Sequence, residues 1–284
     1  MFNQNIKSPV NIPVSKIHPF EGNPYKVLDN DEMNNLICSI QEQGILTPII
    51  IRPIENTDEY EVISGHRRLH ATVKAGMKEV PAFIYAVSRD EAAIMLVDSN
   101  LHREHILPSE KAFAYKLKLD AIKHQGKTSM QLAQKLSVEV VGESAGESKD
   151  NVRRYIRLTY LIPELLELVD EEKIALTPAV ELSYLTDEEQ YALLDAIDLE
   201  ERTPSLSQAV RFKKLSQTGE LSYEDIETIM QEDKANQKPM FMVSMERLQK
   251  VAPKVKDKDF EDFVLKACEH YYRYLLRQRD RDSR

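Results

Sequence analysis

The chain has 284 residues, of which 42% are hydrophobic and 30% are charged, a composition typical of a globular protein with two or three domains. No apolar run approaches the ~20 residues of a membrane-spanning helix, and the N-terminus lacks the basic and apolar regions of a secretory signal. We therefore expect a cytoplasmic protein with no membrane partner. Its two cysteines, Cys38 and Cys268, have no metal-ligand spacing.

The net charge of −9 and the pI of about 5.4 argue against nucleic-acid binding if the charge is evenly spread. The charge is segregated instead. Residues 164–201 are acidic, with Lys173 as their only lysine or arginine, whereas residues 149–157 and 266–284 are basic. Because salt screens charges beyond roughly 10 Å, local patches decide contacts with phosphate. DNA binding is therefore not excluded.

Residues 1–11 have the polar composition of a flexible arm. The pattern of apolar residues after them predicts a small α/β domain over residues 12–107. Its predicted elements are a short strand (12–17), a helix (31–43), two strands paired as a hairpin (48–54 and 59–63), a helix (65–75), a strand (80–86) and a helix (89–100).

The joint between the second hairpin strand and the next helix carries Ser64-Gly65-His66-Arg67-Arg68. A glycine at such a joint lets the backbone approach a ligand closely. Arginines in the first helical turn add to the partial positive charge of the helix N-terminus and its free N–H groups. The combination suits a polyphosphate, although two arginines on a helix are commonly just a solvated face.

Strand signals stop at Pro108, and residues 108–234 predict an all-helical domain with a helix-turn-helix at about 138–159. One register takes residues 130–136 as the first helix. The other takes residues 138–145, turns at Gly146 and caps the second helix, 149–159, at Ser148. We prefer the second register, because it gives a short glycine-containing turn and places Val141 and Val152 in a core. Residues 130–136 then form an extra helix.

The second helix of this motif is rich in residues that contact DNA. Arginine and asparagine can read guanine and adenine edges in the major groove, and lysine can hold phosphates. The candidate DNA-binding residues are Ser148, Lys149, Asn151, Arg153, Arg154 and Arg157. The alternative is a solvated helix face, but the turn and the basic cluster together favour DNA binding.

Further helices are predicted to the end of this region, among them one over residues 178–185 capped by Thr177. Residues 235–239 have the composition of a linker. Residues 240–284 form a separate C-terminal region, with a strand at 240–245 and a helix at 260–279. That helix carries an aromatic stripe including Tyr271 and Tyr274, which indicates a packing or dimerisation surface.

Several segments, in order, resemble the ParB-type partition proteins of the ParB/RepB family. They are residues 12–17, residues 44–52, the Ser64–Arg68 turn, Asn100-Leu101-His102-Arg103-Glu104 and residues 148–158. The resemblance covers roughly residues 12–231. It implies an α+β fold with a ParB/sulfiredoxin-like N-terminal domain, an all-α helix-turn-helix domain and a small C-terminal helical region.

The resemblance also implies a function. In such proteins the N-terminal domain binds CTP with Mg²⁺, the helical domain binds a palindromic centromere-like DNA site, and a homodimer closes into a sliding clamp on the nucleoid or a plasmid. By resemblance, Gly65, Arg67 and Arg68 hold the triphosphate, Arg103 contacts phosphate and Asn100 helps to place Mg²⁺. The implied nucleotide-binding set is Thr47, Pro48, Ile49, Gly65, His66, Arg67, Arg68, Asn100 and Arg103.

Some residues depart from the family pattern. Ser99 stands where a glutamate usually precedes the asparagine, and His66, His102 and Thr47 replace usual polar residues. A missing carboxylate weakens metal-assisted water attack, so we expect at most a weak CTPase. Residues 1–10 lack the basic segment by which many relatives stimulate a ParA-type ATPase, and that partner stays open.

Three other functions compete with this one. The first is a nucleotide-independent DNA-binding transcriptional regulator on a ParB scaffold. The second is a ParB-fold phosphotransferase, for which Glu21 is the available base; sulfiredoxin chemistry is excluded because the Gly65 turn has no thiol. The third is an interaction protein without a DNA role.

Overall fold

The computed structural model describes residues 8–101, 103, 105–125, 130–232, 249–252, 255 and 260–282. The chain divides into two compact units, Met1–Glu232 and Asp233–Arg284. The predicted linker (235–239), the predicted strand (240–245) and most of the predicted arm lie outside the described residues. Within the described part, no helix is long and apolar enough to cross a membrane.

A five-stranded mixed sheet carries the first part of the chain, with the strand order β1-β5-β3-β4-β2. Its strands are β1 (Val10–Pro13), β2 (Ile17–His18), β3 (Ile49–Pro53), β4 (Tyr60–Ser64) and β5 (Glu79–Ile84). The predicted hairpin is confirmed, since β3 and β4 pair antiparallel with Ile51 opposite Val62. The isoleucine-rich β3 is central and therefore buried on both faces, with Ile49 and Ile51 inaccessible to solvent.

The predicted strand over residues 12–17 is wrong as one element. It is broken by a 3-10 turn at Val14–Lys16. Its first half pairs antiparallel with β5 at one edge of the sheet, and its second half pairs parallel with β4 at the other edge. Pro13 has no N–H for a ladder, and the Val14 N–H bonds to the Lys78 carbonyl, so the chain leaves one edge here and crosses to the other.

Three helices accompany the sheet: α1 (Asp31–Gln43), α2 (His66–Lys74) and α3 (Arg89–Asp98). Helices α1 and α3 each begin at a residue whose side chain caps the first turn. Asn30 accepts the Met33 N–H at the start of α1, and Ser88 forms a reciprocal cap with Glu91 at the start of α3. Gly44 ends α1 as predicted, with φ of 72°.

The rest of the first unit is helical. Its helices are α4 (Pro108–Gln125), α5 (Met130–Ala145), α6 (Lys149–Arg157), α7 (Pro163–Asp170), α8 (Leu176–Leu182), α9 (Asp187–Glu200), α10 (Leu206–Thr218) and α11 (Tyr223–Gln231). With the sheet before them, they confirm the α+β class. Ala93 of α3 shares a core with Ala114 and Ala121 of α4, so buried packing continues across residue 107. The division of the chain at that residue stays a prediction.

The preferred helix-turn-helix register needs one correction. The first helix is a single element, Met130–Ala145, so a separate helix over residues 130–136 is wrong. The turn follows at Gly146, with φ of 67°, and Ser148 caps α6 as predicted. Val141 and Val152 are fully buried against each other's helices. The buried contact between Val141 and Val152, for which this register was preferred, is therefore present.

The predicted Thr177 cap is also wrong. Helix α8 begins at Leu176 after Ala175, which places Thr177 inside its first turn. There the threonine hydroxyl accepts a hydrogen bond from Arg154. Thr177 therefore joins α8 to α6 instead of starting a helix.

In the second unit, α12 (Phe260–Asp282) is a long helix with exposed aromatic residues. Tyr271 is 61% exposed and its ring stacks on that of Tyr274, with centroids 6.2 Å apart. The aromatic stripe is present on the helix. Its use in dimerisation stays a prediction.

Candidate functional site

The candidate site is built at the joint between β4 and α2. Gly65 has φ of 104° and ψ of 26°, a conformation that glycine adopts at little cost. A Cβ atom at this position would lie 2.7 Å from Cγ2 of Ile49. Glycine is therefore required both by the turn and by the close packing on β3. The turn leaves the first N–H groups of α2 without helical partners at the edge of a cavity.

That cavity has a volume of about 320 Å³. Among the described residues that line it, four are cations and none is a carboxylate. The lining is Asn23, Tyr25, Lys26, Val27, Ser64, Gly65, His66, Arg67, Arg68, Ser99, Asn100 and Arg103. A cationic pocket at a helix N-terminus is suited to an anion with several charges, such as a polyphosphate.

The two arginines of the turn are held differently. Arg67 makes an exposed ion pair with Glu32 at 3.0 Å. Arg68 instead donates to the backbone carbonyls of Thr47 and Pro48, the latter at 2.8 Å, and burial lowers its pKa. Arg67 is thus free to turn to a ligand, whereas Arg68 also braces the start of β3.

Thr47, Pro48 and Ile49 do not line the cavity. The first two present their carbonyls to Arg68, and Ile49 is buried beneath Gly65. The structure therefore brings these residues to the Gly65 turn but behind it. Their contact with a base stays a prediction.

His66 lines the cavity as an uncharged side chain. Its Nε2 accepts the Phe20 N–H at 3.3 Å. Burial lowers its pKa to about 4, helped by the charge of Arg103 and opposed by Glu61. The imidazole therefore carries no charge at pH 7 and adds a polar surface to the cavity without adding a cation.

Asn100 lies on the opposite side of the cavity, just after α3. Its Nδ2 donates to the Leu96 carbonyl at 2.7 Å and to the Ser99 hydroxyl at 3.2 Å. Its amide oxygen accepts no hydrogen bond from the described residues and is the group that could face Mg²⁺. No cluster of three carboxylate, histidine or cysteine side chains occurs in the described part of the chain.

These donors fit Mg²⁺ only in part. An amide oxygen and a hydroxyl are hard ligands, but Mg²⁺ in nucleotide sites is held by carboxylates together with the phosphates. None of the lining residues that the structure describes is a carboxylate. A bound Mg²⁺ would therefore depend on phosphate oxygens and water for most of its ligands.

Four lining residues come from a loop that the sequence analysis left without a function: Asn23, Tyr25, Lys26 and Val27. The Asn23 side chain donates to the Tyr25 carbonyl and accepts the Tyr25 N–H, each at 3.2 Å. These two hydrogen bonds close a local turn. Arg103 lies over the Tyr25 ring at 5.5 Å. The Asn23-Pro24 pair signals the turn in the sequence, but nothing local places it against α2.

The loop of residues 23–27 is joined to the helical region by the buried carboxylate of Asp170. The Lys26 N–H donates to Glu110 at 2.8 Å, and its ammonium lies 3.4 Å from Asp170 at the end of α7. Asp170 also accepts the Ser109 N–H at 2.9 Å and the Ser109 hydroxyl at 2.5 Å. One side chain therefore caps α4 and makes an ion pair with the exposed end of a cavity lysine.

The second candidate surface is the exposed side of α6. Ser148 accepts the Asn151 N–H, so its hydroxyl caps the helix. Lys149 and Arg153 are exposed and make only surface ion pairs, with Glu139 at 3.4 Å and Asp150 at 3.0 Å. Such pairs are weak in water. These two cations are therefore available to a polyanion.

Arg154 and Arg157 are turned toward α8. Arg154 donates to the Thr177 hydroxyl at 2.5 Å, and Arg157 donates to the Ser183 hydroxyl and carbonyl at 3.0 and 2.7 Å. Asn151 donates to Glu147 at 2.7 Å. The predicted DNA-binding set therefore divides into exposed residues and residues that pack the helices together.

Comparison with known proteins bears on both surfaces. Residues 3–101 match the ParB N-terminal domain, a span that contains β1 to β5, the Gly65 turn and Asn100. These residues belong to the ParB N-terminal domain family. The ParB N-terminal domain thus supplies the sheet and, of the described cavity lining, every residue except Arg103.

Curated relatives extend the likeness past this domain. A chromosome-partitioning protein Spo0J from Thermus thermophilus is 33% identical over 165 residues, which are 58% of this chain and 56% of the relative. A nucleoid occlusion protein from Listeria monocytogenes is 31% identical over 164 residues, covering 58% and 53%. This chain spans about half the length of these relatives.

Solved structures of ParB from Caulobacter crescentus are also similar to this chain. The complex with the centromeric parS site has a TM-score of 0.42 at 20% identity, covering 78% of this chain and 98% of that one. The complex with CTP-γ-S has a TM-score of 0.32 at 23% identity, covering 68% and 99%. Because these TM-scores are below 0.5, the proposed function is based on the family match and on the geometry of the site.

Proposed function

We propose that this protein is a DNA-binding partition protein of the ParB type, which binds CTP in the cavity at α2 and a centromere-like site through α6. The observation that carries the proposal is the cavity itself. Four cations and the N-terminus of α2 converge on a pocket whose described lining residues include no carboxylate, inside a ParB N-terminal domain. We further propose that it acts as a homodimer on nucleoid or plasmid DNA.

Each lining group has a stated role in this proposal. Arg67, Arg103 and Lys26 hold the phosphates, and the backbone N–H groups after Gly65 donate to them. Asn100 offers its amide oxygen to Mg²⁺, which when bound offsets phosphate charge. Because no carboxylate is among the described lining residues, the site favours binding over hydrolysis.

The DNA half of the proposal rests on α6. The turn at Gly146 and the cap at Ser148 fix this helix against α5, and Lys149 and Arg153 stay exposed along it. The acidic stretch, residues 164–201, includes α8, which bonds to α6 through Thr177 and Ser183, whereas Lys149 and Arg153 stand outside these contacts. A local basic helix on an acidic protein is therefore compatible with DNA binding.

A calorimetric titration with CTP, ATP, GTP and UTP, each with Mg²⁺, tests the nucleotide half. We expect CTP alone to bind, and Arg67→Ala to weaken binding at least tenfold, since among the described residues Arg67 pairs only with an exposed glutamate. Lys74→Ala is the matched control: it removes one positive charge from the same helix, outside the cavity lining.

The outcomes separate the competing functions. Binding of CTP that Arg67→Ala and Lys74→Ala weaken equally would place the nucleotide elsewhere. Binding of ATP instead would favour a phosphotransferase, although Glu21 pairs with Arg89 at 3.2 Å and does not line the cavity. Binding of no nucleotide would leave the second candidate.

That second candidate is a DNA-binding regulator that works without nucleotide. The described residues of the cavity lining include no carboxylate, and a nucleotide switch that resets by hydrolysis would lack the usual metal ligand among them. Retention of site-specific DNA binding without any effect of CTP would support it.

A further inference from the structure

A platform of alternating aromatic rings and cations lies at the C-terminal end of α6. We call it the tyrosine platform, and its members are Lys116, Arg157, Tyr160, Tyr184 and Lys213. The Arg157 guanidinium lies 4.5 Å from the Tyr160 ring centroid and 3.9 Å from that of Tyr184. Lys213 covers the Tyr184 ring at 3.8 Å, and Lys116 approaches the Tyr160 ring at 5.5 Å.

The platform is held in place by contacts from several elements. Arg157 donates to Ser183 at the end of α8, and Lys213 of α10 pairs with Glu181 at 2.8 Å. Lys116 comes from α4, and Tyr160 from the 3-10 turn after α6. Cation–π contacts of this kind fix ring orientation. The surface is therefore ordered before any partner binds.

Its outer edge still has hydrogen-bonding capacity. Tyr160 is 55% exposed and Tyr184 is 39% exposed. No group in the described part of the chain hydrogen-bonds either hydroxyl or pairs with the Lys116 ammonium. Two hydroxyl donors and one unpaired ammonium thus stand together at the surface, a set that suits phosphate oxygens.

The platform begins where the exposed side of α6 ends. Lys149 and Arg153 are exposed along the helix, and Arg157, one turn further on, points toward α8 and contacts the two rings. A recognition helix meets base edges mainly with its N-terminal residues, while neighbouring elements meet the DNA backbone. The C-terminal end of α6 and the platform beside it are therefore placed to meet backbone phosphates.

We infer that the tyrosine platform binds backbone phosphates of duplex DNA that flanks the site read by α6. This inference rests on the proposed DNA-binding function and extends its footprint. Tyr160, Tyr184 and Lys116 contact phosphates, and Arg157 positions the two rings. None of these contacts reads a base, so the platform adds affinity and salt dependence but no sequence preference.

The test first recovers the binding site by selection from a library of random duplexes. Two probes are then made: the recovered site alone, and the same site with about 10 bp, one helical turn, of fixed sequence on each side. The triple variant Lys116→Gln, Tyr160→Phe, Tyr184→Phe keeps both rings and therefore the stack on Arg157. Lys173→Gln, which removes an exposed charge from the acidic stretch, is the control.

We expect the unmodified protein and Lys173→Gln to bind the long probe more tightly than the short one. The triple variant should lose this difference, and its plot of log affinity against log salt should be shallower by about one unit on the long probe. Affinity for the short probe should be unchanged. Lys116→Gln alone, which keeps both rings and their contacts with Arg157, should show the same change in slope.

A triple variant that keeps the preference for the long probe would overturn the inference, and so would equal binding of both probes by the unmodified protein. Failure of the unmodified protein to bind any duplex would instead overturn the proposed function. Equal loss of affinity on both probes would show a general folding defect, and the thermal midpoint of the triple variant checks for it. Lys116→Gln then decides the question, because this variant must still lower the slope of log affinity against log salt on the long probe.

Discussion

His66 illustrates how position sets the charge of a single side chain. Its ring is buried between Phe20 and the cavity, so protonation would place a cation in a poorly solvated site already close to Arg103. The neutral form also lets Nε2 accept the Phe20 N–H. The sequence shows a histidine in a cationic turn, and only the fold shows that it is uncharged.

This gives a pH dependence of stability. The unfolded chain binds a proton near the ordinary pKa of 6.5, while the folded chain resists it until about pH 4. The free energy of unfolding should therefore fall as the pH drops from 6.5 toward 4, by up to about 3 kcal/mol from this residue. Urea unfolding between pH 4 and 7 measures it.

His66→Gln tests the assignment, because a glutamine oxygen can still accept the Phe20 N–H but does not titrate. Its stability profile should be flatter over this interval than that of the unmodified protein. His105→Gln, at an exposed histidine, should leave the profile unchanged. If both variants keep the full slope, the acid sensitivity comes from other groups.

At the scale of elements, the α5–α6 turn depends on a residue inside a helix. Gly142 lies in α5, and a Cβ atom there would stand 2.6 Å from the Glu147 carbonyl oxygen. The Glu147 N–H in turn donates to the Gly142 carbonyl at 2.9 Å. The backbone of the turn thus folds directly onto the backbone of the helix.

Gly142→Ala should therefore destabilise the protein, although alanine is the better helix former by ~1 kcal/mol. The clash is with backbone and cannot be relieved by a rotamer, so a net loss of about 2 kcal/mol is expected. Urea unfolding and a DNA-retardation assay should both register it. Glu143→Ala, next to it on an exposed position, should be close to neutral. A stabilised Gly142→Ala protein would contradict the packing.

Much of the secondary structure was predictable from the sequence, because helix caps, turns and hydrophobic periodicity depend on residues close together in the chain. The hairpin of β3 and β4, the end of α1 at Gly44, the Gly65 joint and the Ser148 cap all follow from residue types at short spacing. The break between β1 and β2 and the unbroken α5 did not follow. They depend on sheet edges and helix packing supplied by distant residues.

The candidate site divides in the same way. The Gly65 turn, Arg67, Arg68 and Asn100 could be selected by their motifs. Asn23, Tyr25 and Lys26 could not, since a loop early in the chain reaches the cavity through contacts with distant helices, among them α3, α4 and α7. The inward turn of Arg157 was likewise hidden, because its partners lie on α8.

For the whole molecule, Lys118 joins the three helices between the cavity and the DNA-binding helix. Its ammonium, on α4, donates to Asp98 at the end of α3 and to Ser144 of α5 at 2.6 Å. Asp98 directly precedes Ser99 and Asn100 of the cavity lining. A single buried cation therefore connects the two candidate surfaces.

The two ends of this ion pair differ in exposure, with side chains 3% exposed for Lys118 and 45% for Asp98. Asp98→Ala should cost about 3 kcal/mol in unfolding free energy, because it leaves a buried ammonium without a carboxylate. Lys118→Met should cost less, roughly 1 kcal/mol, since water can solvate the remaining carboxylate.

Chemical denaturation of both single variants measures this asymmetry, and the double variant completes the cycle. The double variant should be no less stable than Asp98→Ala alone, because the orphaned charge is gone. Equal costs for the two single variants would mean that Lys118 reaches solvent on its own.

The tie between Lys26 and Asp170 has a consequence for how the protein is made. A ribosome releases the chain from its N-terminus, so β1 to β5 leave the exit tunnel well before residue 170 does. Until then Lys26 lacks its carboxylate and α4 lacks the cap on Ser109. A nascent sheet can form early, but its pocket is finished late. Competence for a ligand would therefore appear during synthesis only after most of the helical region has been translated.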